Sequence, residues 1–190
     1  MKDLVLEFIP HAPKMGLYTL PDIPADKLRN ALRDYATSVH REEVLALYDA
    51  TLLGNAKDGA VFTSDRLVFQ NNNLEPAQTV RYEDIVHVDT RRKLLGGREV
   101  NIDVNRGRAT VRLTLDFSAR ADAAEYIARF LREALHRGVA AEMDRPSKNA
   151  QQTPSGSDIV AIERALNELQ ANGSLTSEDY ERILRVLKGQ

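Results

Sequence analysis

Apolar side chains in residues 1–22 keep no sustained period. Leu4, Leu6 and Phe8 alternate, which suits a short strand or a segment laid on another surface, and Pro10, Pro13 and Pro21 argue against a long element. At Pro24 the spacing turns helical. Leu28, Leu32, Tyr35 and Val39 recur on one face with Lys27, Arg29 and Arg33 between them, predicting a helix over 24–39 with Pro24 in its first turn. From Glu43 the period falls to two. Seven short strands are expected at about 43–49, 59–63, 66–70, 77–82, 84–90, 98–104 and 109–115. The last two are the clearest: Val100, Ile102 and Val104 alternate with Glu99, Asn101 and Asp103, and Val111, Leu113 and Leu115 alternate with Thr110, Arg112 and Thr114. Asp58-Gly59, Ser64-Asp65, Asn71-Asn72-Asn73, Gly96-Gly97 and Asn105-Arg106-Gly107 supply the turns between strands. Connections this short imply an antiparallel meander, because parallel pairs need long crossovers.

After the strands the period returns to helical. Ser118 reads as an N-cap, Asp122 complements the N-terminal end of the dipole, and Ala123, Tyr126, Ile127, Phe130, Leu131 and Leu135 form one wide stripe. His136 and Arg137 suit the last turn and Gly138 a C-terminal stop. A stripe with two aromatics must dock on an apolar surface, and the open end of a barrel is the expected place. Residues 143–157 then lose all apolar periodicity and read as a flexible linker rich in Pro, Ser, Gln and Asn. Two helices close the sequence. The first, from about Asp158 to Ala171, carries Ile159, Ile162, Leu166 and Leu169, and Asn172-Gly173 ends it. Leu175 and the capping-box-like Thr176-Ser177-Glu178-Asp179 introduce the second, with Tyr180, Ile183, Leu184 and Leu187.

Composition narrows the classes. With 43% hydrophobic and 28% charged residues, the 190-residue chain can build one substantial core. A net charge of −2 gives no general attraction to nucleic acid or membrane, so any such binding needs a local patch. There are no cysteines, which removes disulfides, thiolate metal sites and cysteine nucleophiles, and fits a cytoplasmic setting. Asp3 and Glu7 interrupt the N-terminal apolar stretch and argue against a signal peptide. No apolar run approaches the roughly 20 residues that span a bilayer.

Catalytic chemistry is not legible. His11, His40, His87 and His136 have no ligand-like spacing, no glycine-rich loop follows a strand and opens a helix, and no serine sits in a nucleophile elbow. The expectation is a non-enzymatic protein without cofactor, metal or evident small-molecule substrate. One charge anomaly remains: residues 91–112 hold seven basic residues against two acidic ones, a local charge of +5. Arg91, Arg92, Lys93 and Arg98 sit on one hairpin, whereas Arg106 and Arg108 sit at the other end of the sixth strand. The first four could meet an anionic lipid or acidic protein at about 1 kcal/mol per residue. The plainer account is a solvated hairpin whose charge protects a sheet edge. Without an aromatic platform beside these residues, nucleic acid is not the expected partner.

Seven antiparallel strands closed by an amphipathic helix over residues 40–137 resemble a pleckstrin-homology-like domain. Ala56-Lys57-Asp58-Gly59-Ala60-Val61-Phe62-Thr63 and Tyr82-Glu83-Asp84-Ile85 are similar to recurrent segments of its bacterial members. The run Leu166, Leu169, Gly173, Leu175, Thr176, Glu178, Asp179, Tyr180, Glu181, Leu184 and Leu187 resembles the SHOCT module, though Arg182-Ile183-Leu184 puts apolar surface where that family often has basic residues. These resemblances imply an α+β chain in four parts: an N-terminal extension with a helix (1–39), a seven-stranded antiparallel barrel or sandwich capped by a helix (40–142), a linker (143–157) and a helical hairpin (158–190). They also imply an accessory module for oligomerisation or anchoring. The expected function is a protein-interaction or assembly adaptor that self-associates or binds a protein partner through Ile162, Leu166, Leu169, Leu175, Tyr180, Ile183, Leu184 and Leu187. The alternative is a peripheral membrane adaptor that uses Arg91, Arg92, Lys93 and Arg98. The first hairpin of the barrel offers only Lys57 beside Asp49 and Asp58, so the phosphoinositide mode of eukaryotic pleckstrin-homology domains is not expected here.

Overall fold

The structure is a computed structural model that describes residues 1–94, 96–143, 170 and 180. The chain divides into two compact units, Met1–Glu142 and Met143–Gln190. The expected linker and tail hairpin, with Ile162, Leu166, Leu169, Leu175, Ile183, Leu184 and Leu187, lie outside the described residues. Tyr180 is described only as a helical, half-buried residue.

The first unit is α+β, with two antiparallel sheets and three helices. The larger sheet has the order β1 (Leu17–Thr19), β2 (Ala46–Asp49), β3 (Gly59–Phe62), β4 (Arg66–Gln70) and β5 (Gln78–Arg81). The smaller is the meander β6 (Ile85–Arg92), β7 (Arg98–Asn105) and β8 (Thr110–Asp116). All seven expected strands are present to within a few residues. They do not close into a barrel, and an eighth strand, β1, extends the sheet beyond β2.

The N-terminal segment corrects the sequence reading. It forms a short helix, α1 (Lys2–Phe8), not a strand, and is laid on the main core, the other arrangement the sequence allowed. Leu4, Val5 and Ile9 are fully buried while Leu6 keeps 38% of its surface exposed, so the alternation of Leu4, Leu6 and Phe8 was not the operative period. Helix α2 (Ala25–Asp34) is shorter than expected, with Pro24 at the N-cap. Tyr35 and Val39 continue its buried face beyond the last helical turn. Leu20–Pro21 is a cis peptide bond.

Helix α3 (Ala123–Met143) differs at both ends. Ser118 lies outside it and bonds the carboxylate of Asp116. Asp122 also precedes the helix, so Glu125 is the acidic residue of the first turn. At the far end the helix runs through His136, Arg137 and Gly138, because a glycine alone weakens a helix without breaking it.

The expected stripe of α3 is its buried face. Ala123, Ile127, Phe130 and Leu131 share one core with both sheets, including Phe62, Phe69, Ile102 and Leu115. Phe130 makes edge-to-face contacts with Phe62 at 5.8 Å and Tyr82 at 5.2 Å. Leu4, Val5 and Ile9 enter this core, and α1 meets α3 again through Arg129 over Phe8 at 5.6 Å and Arg137–Glu7 at 3.9 Å. A second core lies on the other face of the larger sheet, where Leu28 and Ala31 of α2 and the following Tyr35 pack with Leu47, Val61 and Val68.

Candidate functional site

The register of the strands sends several loops to one end. Asp49 pairs with Gly59, Gly59 with Gln70, and Phe69 with Gln78, so the β2–β3 loop (50–58) and the β4–β5 loop (71–77) leave the larger sheet together. Asn71 joins that end to the smaller sheet. Its Nδ2 donates to the Thr114 carbonyl at 2.8 Å and its Oδ1 accepts from the Asp116 amide at 2.9 Å. Asp116 faces Glu99 in the register, and Arg92 faces Arg98, which brings the β6–β7 hairpin (93–97) to the same place. Gly97 has φ +84°, and a Cβ there would lie 2.7 Å from Ser118 Cα, so the hairpin needs glycine to rest against the β8–α3 connection.

The β2–β3 loop is built around a buried carboxylate. Asp49 has no exposed side-chain surface, and its Oδ2 receives Lys27 Nζ of α2 at 2.7 Å. Its Oδ1 accepts from Thr51 N at 3.0 Å, Thr51 Oγ1 at 2.5 Å and Ala56 N at 3.1 Å. Lys27 also donates to the Gly54 carbonyl and lies over the Tyr18 ring. Burial pulls the Lys27 pKa down, but Asp49 outweighs it and the net shift is upward. Asn30 adds a bond to the Asn55 carbonyl at 2.8 Å. Arg120 closes the other side, donating to the carbonyls of Lys14 at 3.0 Å and Thr51 at 3.3 Å.

On this held frame the loops expose apolar side chains. Leu52 and Leu53 are 88% and 89% exposed, Leu74 is 91% exposed, and Leu94 has lost no surface at all. Sequence reading missed them, yet a signal existed. A leucine between turn residues, as in Thr51-Leu52-Leu53-Gly54 or Asn73-Leu74-Glu75, has no strand or helix face to serve.

The basic hairpin separates into two pairs. Lys93 bonds Asp116 at 3.1 Å and the Ser118 hydroxyl at 3.0 Å, with Glu99 at 3.6 Å, and the Asp116 bond raises its pKa. Arg98 pairs with Glu125 of α3 at 3.3 Å. Arg91 and Arg92 are exposed and have no carboxylate partner among the described residues. The four residues expected to meet an anion are thus two internal staples and, among the described residues, two exposed cations without an ion pair. Arg106, at the other end of β7, donates to the Thr79 carbonyl at 2.7 Å. His87 is a surface residue of β6, 3.9 Å from Asp89.

Among the described residues no group of three or more His, Asp or Glu side chains is placed to hold a metal ion, and no helix is long and apolar enough to cross a membrane. No family model, curated protein or solved structure matches the chain.

Proposed function

We propose that this protein is a non-enzymatic docking module, a pleckstrin-homology-like domain that rests its loop end on an anionic membrane surface. The observation that carries this reading is the set of four exposed leucines on three loops leaving one end of the sheets, beside the exposed Arg91 and Arg92. Fully burying a leucine is worth about 1.5–3 kcal/mol. A basic residue near an anionic surface adds about 1 kcal/mol. The leucines therefore dominate, and membrane binding weakens with salt without vanishing. The two packed sheets with α3 in their shared core support the pleckstrin-homology-like assignment.

Flotation with neutral and anionic vesicles tests the reading. The full-length protein floats on anionic vesicles and keeps part of its binding at physiological salt. L52S/L53S/L94S abolishes flotation at unchanged thermal stability, and R91Q/R92Q removes the salt-sensitive part. No flotation of the wild type at low salt would sink the membrane reading.

The SHOCT-like sequence of residues 158–190 supports a second role for the tail, assembly with another copy or a protein partner. Concentration-dependent mass that disappears on deleting residues 146–190 is the expected outcome, and a monomer at every concentration would count against it.

A further inference from the structure

We propose that the recess between α2 and the Arg41–Glu43 turn is a binding site for a phosphate-bearing anion. It is an open surface recess of about 430 Å³ lined by Ala25, Arg29, Leu32, Arg33 and Arg41. Three guanidinium groups and two apolar side chains make the wall, and no carboxylate lines it.

The fold explains why the three arginines converge. Leu28, Ala31 and Tyr35 turn toward the second core, so Arg29 and Arg33, four residues apart, sit one above the other on the outward face of α2. Arg41 comes from the 3-10 turn, which is held by the Glu43 amide donating to the His40 carbonyl at 3.0 Å and the His40 amide donating to Glu43 Oε2 at 2.7 Å. Glu43 is also engaged by Arg66 at 3.4 Å. Asp34 already takes both arms of the Arg33 fork, at 2.7 and 3.3 Å, so Arg29 and Arg41 carry the contact to an anion and Arg33 adds only its position on the wall. Arg29 and Arg41 have no carboxylate neighbour among the described residues. Like charges held around one hollow repel each other, and an anion with several oxygens relieves that repulsion. Guanidinium forks match phosphate oxygens two at a time, which a lysine cannot do. Another recess, between the β4–β5 loop and β8, sets Arg112 among Glu75, Glu99 and Asp116 and does not suit an anion.

The shared chemistry is a phosphate group, carried either by a free small molecule or by a lipid headgroup. Titration calorimetry of the full chain with inorganic pyrophosphate at matched ionic strength tests it. Saturable binding is expected, weakened at least tenfold in R29Q/R41Q and unchanged in R91Q/R92Q. All three arginines are exposed, and a circular dichroism spectrum and melting temperature like those of the wild type show that the variant is folded. Anionic-vesicle flotation then identifies the source: loss in R29Q/R41Q points to a headgroup, and retention there points to a free phosphorylated ligand. No saturable heat with pyrophosphate, or equal binding by the folded R29Q/R41Q variant, would overturn the site.

Discussion

Asp49 shows how much one residue can organise. It is wholly buried, accepts three bonds from its own loop and holds the ammonium of Lys27. Taking away one member of such a pair strands the other charge in a poorly solvated site, at a cost of roughly 3–5 kcal/mol. D49A should therefore lower the free energy of unfolding by about that amount in urea titrations. K27M/D49N should recover part of the loss, since neither charge is then left alone. A loss under about 1 kcal/mol for D49A would mean that solvent reaches the site and that the loop is not anchored there. Gly59 belongs to the same frame. Its φ is +141°, and a Cβ would fall 1.9 Å from the Tyr48 carbonyl oxygen, so no other residue fits beside Asp49 in the register.

At the scale of elements, Asn71 is the clearest tie between the sheets, with one side-chain amide bonded twice to the backbone of β8. N71A leaves a carbonyl and an amide to find other partners and should cost about 1–3 kcal/mol. Hydrogen exchange should quicken at residues 114–116 before it does in β3, and a uniform change would argue against a local tie. The elements themselves were largely legible. Alternation in β7 and β8 and the stripe of α3 follow directly from burial of one face. Three departures have physical causes. Helix α1 is two turns long, too short for its period to be distinguished from alternation by pattern alone. Strand β1 lies between prolines and takes its identity from pairing with β2, not from its own sequence. Helix α3 passes Gly138 because the residues beyond it carry no strong stop. The candidate sites were less legible. Exposure at Leu52, Leu53, Leu74 and Leu94 depends on which loops share an end, and the meeting of Arg41 with Arg29 and Arg33 depends on how the chain returns after α2.

For the whole unit, acid is the sensitive direction. Hydrogen bonds from arginine hold Asp34 and Asp103 below the ordinary aspartate value of 3.8. For Asp65 and Asp116 burial pushes the other way, but bonds from Thr63 and Arg66, and from Ser118 and Lys93, outweigh it. A carboxylate with a depressed folded pKa contributes stability that is complete above its unfolded value and is lost as pH falls toward the folded one. Asp58, raised by burial and by Asp34, acts in the opposite sense but stands alone against four. The urea midpoint should hold between about pH 7 and 5 and drop below about pH 4. A midpoint that rises on acidification would show that these carboxylates are not favourably paired. The packing of α1 against α3 has a further consequence, in the time order of synthesis. Helix α1 ends at Phe8, and α3, which contacts it through Arg129 and Arg137, begins at Ala123, 115 residues later. At about 5–20 residues per second, Leu4, Val5 and Ile9 leave the ribosome roughly 6–23 s before α3 exists to shield them. The nascent chain thus carries these three apolar side chains without α3 for that interval, which is when a chaperone has the most to grip.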